Sequence, residues 1–413
     1  MTQVYFWIIV GFIILNYVIS RILDILNLKN LSEKIPKELE GIYDAQKYKD
    51  SQLYQKVKTR FGFVEETFSL IIILSMLFTG GFAYIDSFIK IFSENPVVIT
   101  LLFFGIIGLA LFILNLPFEI YFTFVIEEKF GFNKTTVNTF ISDKLKSLLI
   151  TVIIGGGLIA LITWLWTITG DNFWFVVWIV ITVFMAFFMM FYSNIIVPLF
   201  NKQTPLEKGE LRDEIEAFAN KVGFKLKDIY VIDESKRTTK SNAYFTGLGP
   251  QKRIVLYDTL IKEHTTEELV AILAHEIGHY KKKHTLVSMF ASILQIGLLL
   301  FIFSFFLENK DLAEVMKVSE PSFHISLLAF SLLYSPLALI IGLGMNALSR
   351  KNEYEADKFA GENYNAKALQ TALKKLSVNN LTNLNPHPAY VFFYYSHPTL
   401  LERIKALNKF TSS

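Results

Sequence analysis

Long apolar runs alternate with polar segments along this chain, and the runs have the length of membrane-spanning helices. A transmembrane helix needs about 20 predominantly apolar residues. The pattern predicts an integral, multi-pass protein of the lipid bilayer with seven spanning helices. The predicted spans are Val4–Ser20, Phe68–Tyr84, Val97–Leu116, Leu148–Trp166, Phe173–Val197, Leu286–Leu307 and Ile325–Leu343.

The basic residues indicate how the chain is oriented. All 40 Lys and Arg lie outside the predicted spans, and 37 of them lie in the first, third and fifth loops and the C-terminal tail. Loops that stay in the cytosol retain Lys and Arg next to the spans. We therefore expect a cytosolic C-terminus, in the endoplasmic reticulum membrane of a eukaryote or the cytoplasmic membrane of a bacterium. No basic residue precedes the first run, so we expect it to remain as an anchor rather than a cleaved signal peptide.

Composition removes several classes of site. The sequence has no cysteine, which excludes disulfides, cysteine-ligated metals and a thiol nucleophile. The net charge of +3 is too small to predict nucleic-acid binding, so no nucleic-acid partner is expected.

The polar segments between the spans are long enough to fold. Glu210–Val222 has apolar residues at helical spacing, and three short strands are predicted at 229–232, 242–245 and 253–257, with turn residues at 247–251.

The predicted fold is mainly α, with a small α+β catalytic portion in the cytosol. We divide the chain into a five-span membrane region (1–200), a catalytic loop with the sheet and a metal-binding helix (201–284), spans six and seven (285–345), and a C-terminal region that supplies the third metal ligand (346–413).

A helix with a metal-binding pattern follows the predicted strands. Thr265 and Glu268 have the spacing of a capping box at its start. His275 and His279 are four residues apart, so both rings lie on one helix face and can bind one ion. Glu276 can reach a water on that ion and act as the catalytic base. A chance match on a surface helix is the alternative, and nearby His284 appears as an unrelated histidine.

A second acidic cluster favours the metal site over the chance match. Glu353 and Asp357 also lie four residues apart on one helix face, just beyond the last predicted span. Glu353 is the candidate third ligand, and Asp357 can orient a ligand histidine by a hydrogen bond. Three protein ligands and one open position are typical of catalytic zinc. We predict one Zn²⁺ per chain, and we expect Glu355 to be solvated.

Longer segments carry a resemblance to a known family. Leu116–Thr135, Ser241–Gly247, Ser349–Asp357 and Tyr395–Arg403 resemble the type I CAAX prenyl proteases. These are seven-span zinc endopeptidases that remove the last three residues of prenylated proteins. The resemblance implies a barrel of seven helices around a large chamber, a zincin-like catalytic portion, and a prenylated, membrane-associated protein or peptide as substrate.

The same resemblance assigns three further site residues. It implies that Asn242 and His397 contact the substrate near the scissile bond, and it places Arg403 with the substrate-binding residues. For His397 we predict a hydrogen bond to the oxyanion that develops during hydrolysis. The alternative is that both residues have only structural roles, Asn242 in a turn and His397 as a helix cap.

Two other functions compete with this one. A membrane quality-control protease of the HtpX type would share the zinc cluster, but seven spans and the Leu116–Thr135 segment favour the CAAX type. A channel or transporter with structural zinc, or with none, would use polar residues at span edges such as Asn115 and Glu119. If the protein were a channel or transporter, the complete set of catalytic residues would have to occur by chance.

Overall fold

Helices account for nearly all of the N-terminal half of the protein. The computed structural model describes residues 2–32, 35, 40–41, 43–226, 228–246 and 253–411. All seven predicted spans are mostly helical in it. The helices of this half are α1 (Thr2–Asn30), α2 (Ala45–Thr79), α3 (Gly81–Lys90), α4 (Pro96–Tyr121), α5 (Val137–Ile150), α6 (Gly157–Thr169), α7 (Phe173–Ile195) and α8 (Val197–Phe200).

The membrane helices differ from the prediction in length and continuity. Helix α2 begins at Ala45, some way before the predicted span, because its polar first half is helical too. It ends at Gly80, whose φ of 76° is in the left-handed region that favours glycine. The second predicted span therefore bends there and continues into α3.

Several of these helices can cross a membrane. By length and apolar composition, five helices of the described chain qualify, or six if a bent C-terminal pair is one span. The stretch Val137–Phe200 is counted as one of these five helices. It contains two of the predicted spans, which a 3-10 turn at Gly170–Asn172 separates. The span count of seven stays a prediction.

The second half combines a small sheet with further helices. Strands β1 (Gln203–Pro205), β2 (Asp228–Ile232), β3 (Ala243–Thr246) and β4 (Arg253–Tyr257) form a sheet in the order β1-β2-β4-β3. The sequence predicts β2 to β4, while β1 was not foreseen. The predicted turn at 247–251 lies outside the described residues. The helices are α9 (Glu210–Lys221), α10 (Asp258–Glu263), α11 (Thr266–Lys281), α12 (His284–Ser304), α13 (Lys310–Val315), α14 (Phe323–Leu333), α15 (Ser335–Asn363), α16 (Ala366–Asn379), α17 (Pro388–Tyr394) and α18 (Leu400–Leu407).

Helix α11 is the centre of the catalytic portion. The capping box of Thr265 and Glu268 fixes its start as predicted. Its apolar residues are buried in a core shared with the sheet, α9, α16 and α18. That core joins residues from before and after the last membrane helices, so the catalytic portion is built from two separate parts of the chain.

Helix α15 connects the membrane to this core. Its 29 residues span about 44 Å at 1.5 Å per residue. Its first turns are apolar and bent by 58° against α14, whereas its last turns pack against α11. A residue on its buried C-terminal half can therefore meet α11 at the edge of the membrane region.

Candidate metal centre

Helices α11 and α15 touch at a point where the close approach of their backbones favours glycine. A Cβ atom on Gly278 would lie 3.2 Å from the Cα and carbonyl oxygen of Ala356, closer than such contacts usually allow. The missing side chain brings the two backbones together. As a result Glu353, almost one turn before Ala356, reaches the histidines of α11.

The three predicted ligand side chains converge at this contact. The Nε2 atoms of His275 and His279 are 3.1 Å apart. Each Nε2 also faces an oxygen of Glu353, at 3.4 Å from His275 and 3.2 Å from His279. Within the described residues, these three form the group able to hold a metal ion.

The donor set fits a zinc ion. Ligand atoms about 2.0–2.1 Å from a tetrahedral zinc lie about 3.3 Å from one another, close to the separations found here. Glu353 is buried at 4% exposure, and its Oε2 has no hydrogen-bond partner in the described structure, since Arg403 Nη1 stays 3.6 Å away. A buried carboxylate oxygen without a donor is costly, and a cation would satisfy it.

Asp357 and Arg403 support His275 from the protein interior. Asp357 Oδ1 lies 2.8 Å from His275 Nδ1, which leaves Nε2 free to face the metal position. Arg403 donates to both oxygens of Asp357, at 2.9 and 2.6 Å. Burial favours the neutral ring of His275, but the neighbouring carboxylates of Asp357 and Glu353 raise its pKa to about 9. A metal would compete with that proton, so affinity would fall at low pH.

A different pair of residues supports His279. His284 Nδ1 lies 3.0 Å from His279 Nδ1, and its Nε2 lies 3.1 Å from Glu355 Oε2. The sequence alone predicts an unrelated His284 and a solvated Glu355. The structure instead buries His284 and joins both to the site. The five-residue step from His279 to His284 crosses a helix break at Lys283, whose φ is 61°, so helical periodicity could not reveal the contact.

The centre opens into a cavity of about 470 Å³. Glu276 lines it next to the ligands, and burial, partly offset by the neighbouring histidines, raises its pKa. A raised carboxyl pKa suits a group that accepts and returns a proton near neutral pH. His397 also lines the cavity, with Nε2 3.4 Å from Glu353 Oε1. The surrounding protein desolvates that ring and lowers its pKa, although 61% of the side chain is exposed.

The two predicted substrate residues occupy different environments. Asn242 is exposed in the cavity wall and immediately precedes β3, so it lies one residue outside the strand on which the sequence predicts it. Arg403 also borders the cavity, but its side chain is 11% exposed and bonded to Asp357. Contact of either residue with substrate stays a prediction.

Fold and site together define a class: a membrane-integral metalloprotease whose metal helix lies beside its spanning helices. Residues 205–411 match the sequence model of peptidase family M48, and residues 24–202 match that of the CAAX prenyl protease N-terminal region with five membrane helices. The chain therefore belongs to peptidase family M48 and carries the N-terminal membrane region of its CAAX prenyl proteases.

Relatives resemble the chain over almost its whole length. It is 36% identical to an Arabidopsis thaliana CAAX prenyl protease 1 homolog, covering 97% of this chain and 96% of that protein. It is 36% identical to CAAX prenyl protease 1 of Saccharomyces cerevisiae, covering 97% and 94%. A crystal structure of S. mikatae Ste24p superposes with a TM-score of 0.93 at 34% identity, covering 98% of this chain and 99% of that one.

Proposed function

We propose that the protein is a zinc endopeptidase that removes the C-terminal tripeptide of prenylated CAAX proteins, with one zinc ion per chain held by His275, His279 and Glu353. The observation that carries this proposal is the cavity at the ligand cluster, bordered by α11 and the start of the edge strand β3. The near full-length likeness to proteins called CAAX prenyl proteases supports the substrate class.

The cavity provides a place for an extended peptide. Strand β3 pairs with β4 on one side and ends the described sheet on the other. A peptide added along such an edge forms main-chain hydrogen bonds that do not depend on its sequence. Asn242, at the start of β3, would then contact the peptide near the ligand cluster.

The chain's own groups perform the proton transfers. Zinc in this position would polarise the scissile carbonyl and make a neighbouring water more acidic. Glu276 accepts the proton of the attacking water and delivers it to the leaving amine. Asp357 and Glu353 hold His275 in place throughout, because both are buried and fixed by several contacts.

We propose that His397 stabilises developing negative charge. The hydroxyl of Ser396 lies 2.9 Å from His397 Nδ1. If that hydroxyl donates, the ring proton resides on Nε2, the atom that faces the site. A neutral imidazole in this tautomer is a hydrogen-bond donor to an oxyanion.

A second, apolar cavity offers a position for the prenyl group. It measures about 350 Å³ and lies between α7, α12 and β3. Phe245 and Thr285 line both this cavity and the one at the ligand cluster, so the two are neighbours. The remaining lining residues are Phe188, Met189, Tyr192 and Thr246.

The five-helix N-terminal match further favours the CAAX type over the HtpX type.

The decisive experiment compares two matched CAAX peptides, one farnesylated and one unmodified. The purified protein should release the tripeptide from the farnesylated peptide in preference, and a zinc chelator should stop the reaction. Glu353→Ala should reduce bound zinc measured by metal analysis. Equal cleavage of both peptides would contradict the CAAX assignment, and full zinc retention by Glu353→Ala would contradict the ligand set.

We also propose that the C-terminus faces the cytosol, from the distribution of Lys and Arg. The sequons at Asn133 and Asn380 should then stay unglycosylated when the protein is made in a eukaryotic host. A glycan on either one, detected by a mass shift that glycosidase removes, would invert this orientation.

A further inference from the structure

A separate cavity lies outside the catalytic portion, between the ends of α1 and α2. Its volume is about 400 Å³. Its described lining contains four cations and no Asp or Glu: Lys29, Lys49, Lys56 and Arg60. The rest of the lining is mainly aliphatic, with Ile25 and Leu53 more than 40% exposed. The cavity is therefore cationic and apolar at once.

These four cations differ from other basic residues nearby. Arg21 pairs with Asp24, and Lys240 pairs with Glu127. Within the described residues, Lys29, Lys49, Lys56 and Arg60 have no ion pair of this kind. Four like charges around one cavity repel one another, and a bound anion would relieve that repulsion.

The cavity lies where the membrane surface is expected. Helices α1 and α2 run antiparallel, since Tyr17 bonds to Thr67 and the backbone of Ser32 bonds to Gln52. The exposed apolar residues of α1 continue down to Ile25, and Lys29 follows one turn later. One turn is about 6 Å, which matches the thickness of one headgroup layer, about 5–7 Å.

The facing helix shows the same order. Val64 of α2 is 59% exposed, and Arg60 lies one turn beyond it on the same face. Lys49, Leu53 and Lys56 continue that face at spacings of three or four residues. The two contacts between the helices place Arg60 level with the end of the apolar stripe of α1, and Lys56 level with Lys29.

We infer that this cavity binds the headgroup of an anionic phospholipid in the leaflet on the catalytic side. The phosphates contact Lys29, Lys56 and Arg60, with Lys49 at the outer edge. An acyl chain lies along the exposed stripe of Val18, Ile22 and Ile25 on α1. Basic pockets between membrane helices are suited to such lipids, and each basic residue near an anionic surface adds about fivefold to binding.

The test measures lipid binding by the full-length protein in phosphatidylcholine nanodiscs, with phosphatidylinositol 4-phosphate as the probe. The quadruple variant Lys29→Gln, Lys49→Gln, Lys56→Gln, Arg60→Gln should bind the probe at least tenfold more weakly. A control variant with the same charge change elsewhere, Lys208→Gln, Lys225→Gln, Lys367→Gln, Lys409→Gln, should bind it like the unmodified protein. Unchanged binding by the first variant, or equal loss in the control, would overturn the proposal.

Two further measurements separate a lipid from a free phosphate ligand. Soluble inositol 1,4-bisphosphate, which lacks acyl chains, should compete only weakly. Ile25→Gln keeps all four charges but interrupts the apolar stripe, and it should weaken lipid binding without changing the zinc content. Full competition by the soluble headgroup, or no effect of Ile25→Gln, would show that no acyl chain is recognised and would overturn the lipid assignment.

Discussion

The two histidines of the candidate centre are held from opposite sides, and the two sides differ in burial. His275 rests on Asp357, which is 1% exposed and is itself bonded by Arg403. His279 rests on His284, whose other nitrogen meets Glu355 at 40% side-chain exposure. We call the first set the buried side and the second set, together with Glu276 and His397, the open side.

This difference separates two tasks within one site. The buried side has every main partner in place before substrate arrives, so it can fix the metal position without rearrangement. The open side borders the cavity, where proton transfer and contacts with a developing charge must occur. Changes on the open side should therefore act on turnover, and changes on the buried side should act on stability and metal affinity.

The largest effect on turnover is expected from Glu276→Gln. The amide cannot accept the proton of the attacking water, so kcat should fall by about a hundred- to ten-thousand-fold. Zinc content and thermal stability should stay close to those of the unmodified protein, because Glu276 is not one of the three proposed ligands. Near-normal turnover would show that another group is the base, and zinc loss would place Glu276 among the ligands.

His397→Ala is expected to have the next largest effect. Loss of one oxyanion donor costs about a hundred- to a thousand-fold in kcat. Ser396→Ala should have a smaller effect in the same direction, because it only biases the tautomer of His397. Steady-state kinetics with the farnesylated peptide distinguish the outcomes. A change in KM alone would indicate uniform substrate binding, and lost zinc would make His397 a ligand.

Asp357→Asn probes the buried side. It removes the carboxylate that is bonded most closely to Arg403 and should destabilise the protein by about 3–5 kcal/mol. Metal affinity should fall by about ten- to a hundredfold, because His275 loses the partner that orients it. Thermal unfolding and zinc competition measure the two effects. Adding Arg403→Gln should recover part of the stability, since no unpaired buried charge remains; a further loss would argue against this pairing.

Local geometry explains which parts of this comparison the sequence could predict. The capping box of Thr265 and the common face of His275 and His279 depend only on residues three or four apart along a helix. The family segments added Asn242 and His397. Strand β1 was missed because three residues carry too little periodicity to predict a strand.

The supports of His279 depend on folding that no local pattern encodes. His284 and Glu355 are 71 residues apart and meet because α12 begins just after α11, which packs against α15. Lys283 turns the chain between α11 and α12, so His284 lies on no common helix face with His279. The second predicted span likewise overlooked that α2 begins at Ala45, because the polar first half of that helix has no apolar run.

The smallest effect is expected from Glu355→Gln on the open side. The amide oxygen can still accept from His284, and water can replace the lost charge because Glu355 is 40% exposed. Metal affinity in a zinc competition assay should fall by less than about tenfold, below the range typical for buried supporting residues. Glu362→Gln, at an exposed position seven residues along α15, serves as the matched control and should change nothing. If Glu355→Gln weakened zinc as much as Asp357→Asn does, the two histidines would be supported equally, and burial would not distinguish the sides of the site.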